Sequence, residues 1–169
     1  KEIMNSNKKI DQKDYLFNSK TEFSPRSGSE KKYEPHKWNI NDNIKRYHNC
    51  YAYVLNHIAS KRIGKPQPGY FSGYPSLSDS DYNCKTFYKR LRRDNPSLYL
   101  IDFSTPCKKG FYKGFIALDD KSFDTDYHFY RQDKNGNWSH KPGRTNVTNL
   151  DASNKIIKNP SKCDRNYGT

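Results

Sequence analysis

Apolar and polar positions change their rhythm near residue 96. From Asn49 to Arg62, Ala52, Leu55, Ile58 and Ala59 recur at helical spacing. Asn49 can cap this helix by accepting from a backbone N–H one turn in, and Gly64 and Pro66 mark its end. Cys50 then lies in the first turn. Residues 64–80, "GKPQPGYFSGYPSLSDS", are rich in Gly, Pro and Ser and predict a surface loop. A second helix fits 80–94, capped by Ser80 or Asp79, with Cys84, Phe87, Tyr88 and Leu91 on one face. Cys84 is therefore expected in the core. Asn95-Pro96 ends the helix, because the residue before proline disfavours helical geometry. Beyond it the period becomes two. "SLYLIDF" (97–103), "FYKGFIALD" (111–119), "DYHFYRQD" (126–133) and "NWSHK" (137–141) read as strands. Helices followed by consecutive strands predict an α+β domain with an antiparallel sheet.

Residues 1–38 show no sustained period and are punctuated by Pro25, Gly28 and Pro35. They read as an extended or disordered basic arm, with the domain proper over 39–169. Leu, Ile, Val and Phe are sparse, which pulls towards disorder. Fourteen Tyr, nine Phe and two Trp offset this, since each ring buries a large area. The expected core is therefore built from ring contacts.

The formal charge of +13 implies an anionic partner: an anionic polymer, nucleic acid or a larger protein assembly, met through the basic surface and the arm. The basic residues are scattered apart from "KRLRR" at 89–93. No run of 18 apolar residues predicts a transmembrane helix. The first residue is Lys1 rather than Met, so the chain reads either as processed, which suits a virion component or secretion after removal of a leader, or as part of a longer product. The four cysteines form no CxxC pair and no zinc-finger spacing with histidine, so no metal or cofactor is expected. Cys163, in a polar tail, could pair with Cys107 or face a partner chain.

The chemistry that Cys50 suggests has a short parts list. A thiolate is favoured at a helix N-terminus and beside an imidazolium. A histidine must reach it to shuttle the proton, and a third polar group should orient that ring. His128 is the candidate base, mid-strand in "DYHFYRQD". At period two, Asp126, His128 and Tyr130 point one way and Tyr127, Phe129 and Arg131 the other; one of these faces should meet the helix that carries Cys50. His140 is the candidate orienter, and the turn decides whether it can serve. A two-residue Asn135-Gly136 turn pairs Lys134 with Asn137 and puts His140 opposite Arg131. A three-residue Lys134-Asn135-Gly136 loop pairs Asp133 with Asn137 and brings His140 opposite Tyr130, diagonal to His128. The sequence permits both. His48 is expected at the surface, His57 apart from Cys50, and His36 in the arm; Asp102 is an alternative polar member of the site.

A cysteine at a helix start, a histidine on a strand and a polar residue a dozen positions later resemble the NlpC/P60 and CHAP peptidases and amidases. The resemblance covers about residues 48–141 and rests on three positions. It implies a papain-like fold, with N-terminal helices packed on the antiparallel sheet. It also implies a hydrolase cutting a peptide or amide bond, with Cys50 as nucleophile, His128 as base and His140 as orienting residue. Asn49-Cys50-Tyr51 departs from the family's usual Asp-Cys-Ser start. The tail from Trp138 onward resembles uncharacterised proteins of large DNA viruses and some bacteria, which names no chemistry. Two readings from other classes stand beside the hydrolase. One is a structural or interaction protein, such as a minor virion component with an inactive hydrolase-like fold. The other is a nucleic-acid binder that uses basic charge and tyrosine stacking.

Overall fold

The structure is a computed structural model and describes residues 2–5, 23–59, 65–119 and 126–167. Three short helices come first: α1 (His36–Asn39), α2 (Asp42–Tyr47) and α3 (Cys50–Val54). Asn49 caps α3 as expected, its side chain accepting from the Ala52 N–H at 3.0 Å while its amide donates to the Pro66 carbonyl at 2.7 Å. The helix stops well short of Arg62. Asn56 takes a left-handed φ of 53°, its N–H bonds the Tyr53 carbonyl, and the His57 N–H reaches back to Ala52, both at 2.9 Å. This pair of bonds satisfies the last carbonyls of a helix and turns the chain away. Ile58, predicted on the buried face, is 41% exposed, and positions 60–62 lie outside the described residues.

The second long element is α4 (Cys84–Asp94). Its cap is Asn83, which accepts from the Thr86 N–H at 2.9 Å, in place of Ser80 or Asp79. Ser78 and Asp81 instead close their own capping box on a single 3-10 turn, Asp79–Asp81. Phe87 and Leu91 are buried, whereas Cys84 is half-buried at the edge of an apolar surface groove.

The predicted strands appear as β2 (Tyr99–Leu100), β3 (Lys113–Asp119), β4 (Asp126–Gln132) and β5 (Trp138–Ser139). The antiparallel pairing holds for β3–β4 and β4–β5. A further strand comes from the segment expected as an arm. β1 (Glu2–Asn5) lies between β2 and β3 and runs parallel to both, which makes a mixed sheet of order β2-β1-β3-β4-β5. Residues 23–38 also belong to the domain. Ser24, Glu30 and Trp38 are buried, and Lys31 bridges Asp133. The domain therefore draws on the chain well before the expected boundary at residue 39.

Alternation along β3 and β4 divides the core. Ile116 and Phe129 face α3 and α4 and pack with Cys50, Tyr51, Val54 and Phe87. Phe115 and Tyr130 face the other way and pack with Trp138 and Ile157. That second layer is covered by the C-terminal coil, which clips to the sheet through Trp138 N–H to Ile157 (2.8 Å) and paired His140–Thr148 backbone bonds (2.9 and 3.0 Å). Rings dominate the coil-side layer, as composition implied, whereas the helix-side layer mixes them with Val54, Leu91, Leu98 and Ile116.

Candidate functional site

The β4–β5 connection takes the three-residue form. Gly136 is left-handed at φ 90°, its N–H bonds the Asp133 carbonyl, and the Asp133 N–H bonds Asn137 at 2.8 Å. Arg131 then pairs with Ser139 and Gln132 with Trp138. The next pair places the His140 ring against Tyr130, with centroids 5.0 Å apart and nearly parallel. His128 lies diagonal to it, and the two imidazoles hydrogen-bond, His128 Nε2 to His140 Nδ1, at 2.7 Å. His140 Nε2 meets the Leu150 carbonyl at 2.8 Å. A carbonyl only accepts, so His140 carries a proton on Nε2; with that ring neutral, its Nδ1 is the acceptor and His128 Nε2–H donates to it. Both rings are neutral in this chain. Burial holds the His140 ring below the ordinary imidazole range. Burial first, then the neighbouring His140 and Arg165, push His128 down to about 3.

Cys50 is not part of this arrangement. It is 6% exposed and sits in the layer with Ile116 and Phe129. His128, one residue before Phe129, projects from the opposite face, where its ring meets Tyr130, His140 and Tyr167. The face that meets α3 is the Tyr127–Phe129–Arg131 face, so the sheet itself separates thiol and imidazole. Burial pushes the Cys50 thiol up to about 12; the Phe129 backbone pulls the other way and does not compensate. A neutral, desolvated thiol is a packing group rather than a nucleophile. Of the three expected site residues, the structure joins His128 to His140 and leaves Cys50 in the helix-side core. No disulfide joins the four described cysteines to one another, Cys107 and Cys163 included.

The other candidates also find places. His48 is buried, not at the surface: its Nδ1 meets the Ile44 carbonyl at 2.8 Å and its Nε2 accepts from the Ala59 N–H at 3.0 Å. His57 stands edge-on to Phe71, and Asp102 is exposed in a turn. His36 opens α1 and is exposed. Among the described residues no group of three or more His, Cys, Asp or Glu side chains could hold a metal, and no helix is long and apolar enough to cross a membrane.

Sequence reasoning missed where some of the positive charge goes. Lys113, Arg131 and Lys141 are at most 1% exposed. Lys113 Nζ donates to Ser24 Oγ and to the Pro25 and Phe103 carbonyls at 2.6, 3.0 and 3.2 Å, which ties the early segment to β3. Lys141 Nζ donates to the carbonyls of Lys45, Gly143 and Thr145 at 2.5, 2.9 and 3.0 Å, which ties α2 to the "KPGRT" loop. Burial, with Lys65 adding repulsion, brings Lys141 down to about 8. Arg131 pairs with Asp133 at 3.0 Å and donates to the Tyr53 hydroxyl at 2.8 Å. These cations act as internal braces between segments that lack aliphatic residues. "KRLRR" is different: on α4 only Arg90 and Leu91 turn inward, while Lys89, Arg92 and Arg93 stay exposed.

With that geometry in view, the comparisons with known proteins are informative. No protein-family model matches the chain, and no solved structure matches it. A curated protein does: insoluble matrix shell protein 1 of Ruditapes philippinarum, 37% identical over 134 residues, spanning 79% of this chain and 81% of that protein. The chain belongs to this matrix-protein family. The match is too long for the tail alone, so the family relationship extends beyond the C-terminal segment that covers the His128–His140 pair.

Proposed function

We propose that the chain is a structural component of an insoluble matrix, holding anionic partners through its basic surface. The observation that carries this reading is the relationship to insoluble matrix shell protein 1 over most of both chains. Three features of the molecule agree with it. The excess of 31 Lys and Arg over 18 Asp and Glu favours adhesion to anionic material. The cysteine and histidines that would make a hydrolase point to opposite sides of a sheet. The interior is braced by buried cations and rings, which suits a protein that persists as a building block.

The test is fractionation. An antibody to the chain should find it in the residue left after detergent and chelator extraction of the tissue that makes it. Recovery entirely in the soluble fraction would contradict the proposal.

A second reading keeps the papain-like form of the α+β fold and a cysteine hydrolase acting on a peptide or amide substrate. It draws on the His128–His140 hydrogen bond, which resembles a base with its orienting partner. It requires Cys50 to meet an imidazole that lies across the sheet. Amide hydrolysis abolished by both Cys50→Ala and His128→Ala would establish it.

A further inference from the structure

Asparagine, any residue but proline, then serine or threonine is the acceptor pattern for an N-linked glycan. The chain carries it at Asn137-Trp138-Ser139 and at Asn146-Val147-Thr148. Asn95-Pro96-Ser97 and Asn159-Pro160-Ser161 have the excluded proline. A glycan is bulky and hydrophilic, so its asparagine has to stand in solvent once the chain has folded. Burial therefore decides between the two positions.

Asn137 meets this condition poorly. It is half-buried at the entry to β5, and Trp138 and Ser139 after it are fully buried. The turn before it is covered as well. Arg26 donates to the Lys134 carbonyl, and its Nε lies 3.8 Å from the place that a Cβ on Gly136 would take.

Asn146 meets it well. It is exposed, as are Gly143, Arg144 and Thr145 before it. Val147 is 3% exposed and packs with Trp38 and Tyr53. Asn39 holds that residue from both sides: its amide oxygen accepts from the Val147 N–H at 2.7 Å, and its amide N–H donates to the Val147 carbonyl at 3.1 Å. With Val147 anchored inward, the side chain before it is left in solvent. Among the described residues the Asn146 side chain has no hydrogen-bond partner. Thr148 differs: its Oγ1 accepts from the Leu150 N–H at 3.1 Å, and its backbone pairs with His140. The fold thus gives a reason for valine at 147 and a hydroxyl at 148, and none for asparagine at 146.

We propose that Asn146 carries an N-linked glycan. The step is a substitution at the anomeric carbon of the first sugar. Asn146 Nδ2 forms a bond to that carbon and loses a proton. The bond from the carbon to a diphosphate oxygen breaks, and the diphosphate leaves with the electron pair. The co-reactant is an oligosaccharide carried on a lipid diphosphate, met with its transferase during secretion. Thr148 is engaged once the loop closes on His140 and Leu150, so the transfer precedes folding of this segment. The proposal rests on the matrix reading, because a matrix laid down outside the cell is supplied by secretion, and it deepens that reading by naming a modified residue.

The test is made on the full chain recovered from its tissue. Peptide N-glycosidase in heavy-oxygen water turns a glycosylated asparagine into aspartate that carries one heavy oxygen. Trypsin cuts after Arg144, so the two positions fall on different peptides. The peptide that starts at Thr145 should carry the label at Asn146, and only after glycosidase treatment; the peptide with Asn137 should carry none. In a eukaryotic secretory host, Asn146→Gln should abolish the glycosidase-sensitive shift on a gel. Thr148→Ser should keep the shift, and Asn137→Gln should leave it unchanged. Asn146→Gln alters an exposed side chain and should melt with the deglycosylated wild type. An unlabelled Asn146 in the tissue protein would overturn the proposal. So would label that appears without the glycosidase, label at Asn137 instead, or a shift that survives Asn146→Gln. An unlabelled Asn146 on a chain held in the insoluble residue removes only the glycan; a labelled Asn146 on a chain recovered entirely in the soluble fraction removes only the matrix reading.

Discussion

On the helix side of β4, Tyr127 and Phe129 close over Cys50 in an apolar layer. On the coil side, one residue out of step, His128 meets His140, burial keeps both rings neutral, and the hydrogen-bonded chain ends on the Leu150 carbonyl. The two layers share the same strands, yet one is a packing core and the other a polar network under a coil. The difference comes from parity. A strand sends successive side chains to opposite faces, so a histidine one position away from the residue that touches a cysteine cannot touch it. Spacing along the chain is blind to this, and residue types that match a catalytic pattern can lie on two sides of one sheet.

The largest effects should come from the two layers themselves. Phe129→Ala on the helix side and Trp138→Ala on the coil side should each cost about 3–5 kcal/mol in chemical denaturation, since both side chains are fully buried. A loss on one side several-fold smaller than on the other would show that the coil layer packs more loosely than the contacts indicate. Asp133→Asn should cost about 3 kcal/mol, because it leaves the buried Arg131 guanidinium without its counter-charge. An unchanged denaturation midpoint would show that the pair is not buried in solution.

A pH series sharpens the contrast further. A neutral His128 in the folded state, set against an ordinary imidazole in the unfolded chain, makes the folded protein the weaker proton binder. Stability is then full above about pH 6.5 and falls as acid is added, by at most about 1.4 kcal/mol per pH unit, until the folded value is reached. Asp133 works against this trend: burial raises its carboxyl to about 6, so protonation there favours the folded state. The readout is therefore the difference between wild type and His128→Gln, which should shrink steadily from pH 7 to pH 4. A difference independent of pH would place His128 in solvent. The smallest effects lie at the ends of α3. Asn49→Ala should cost about 1 kcal/mol through the lost cap. Asn56→Gly should cost about 0.5 kcal/mol, because relief at the left-handed φ does not replace the Asn56 Oδ1 that accepts from the buried Arg131 at 3.2 Å.

Much of the fold was legible in the chain because period and punctuation carried it. The strands from Tyr99 to Ser139 follow from alternation, Asn49 from its capping chemistry, and the α+β class from element order. The β4–β5 register lay between two turn options, and the left-handed Gly136 selects the one that joins His128 to His140. Other features turned on tertiary contacts that no local signal reports. Asn56 could continue a helix or close it, and the bonds from Asn56 and His57 back to Tyr53 and Ala52 close it. The early segment reads as polar and aperiodic, yet Lys113 holds Ser24 and Pro25 against β3. Cys50 was correctly placed in the first turn of a helix, but which face of β4 that helix would cover is set by how the sheet packs.

The most direct measurement is the iodoacetamide alkylation rate of Cys50 from pH 4 to 9, read by peptide mass mapping, in wild type and His128→Ala. A thiol buried on the helix side should stay unreactive until the protein unfolds, at the same rate in both proteins. Rapid alkylation below pH 7 that disappears in His128→Ala would mean a thiolate–imidazolium pair, and would contradict the separation of the two residues by the sheet.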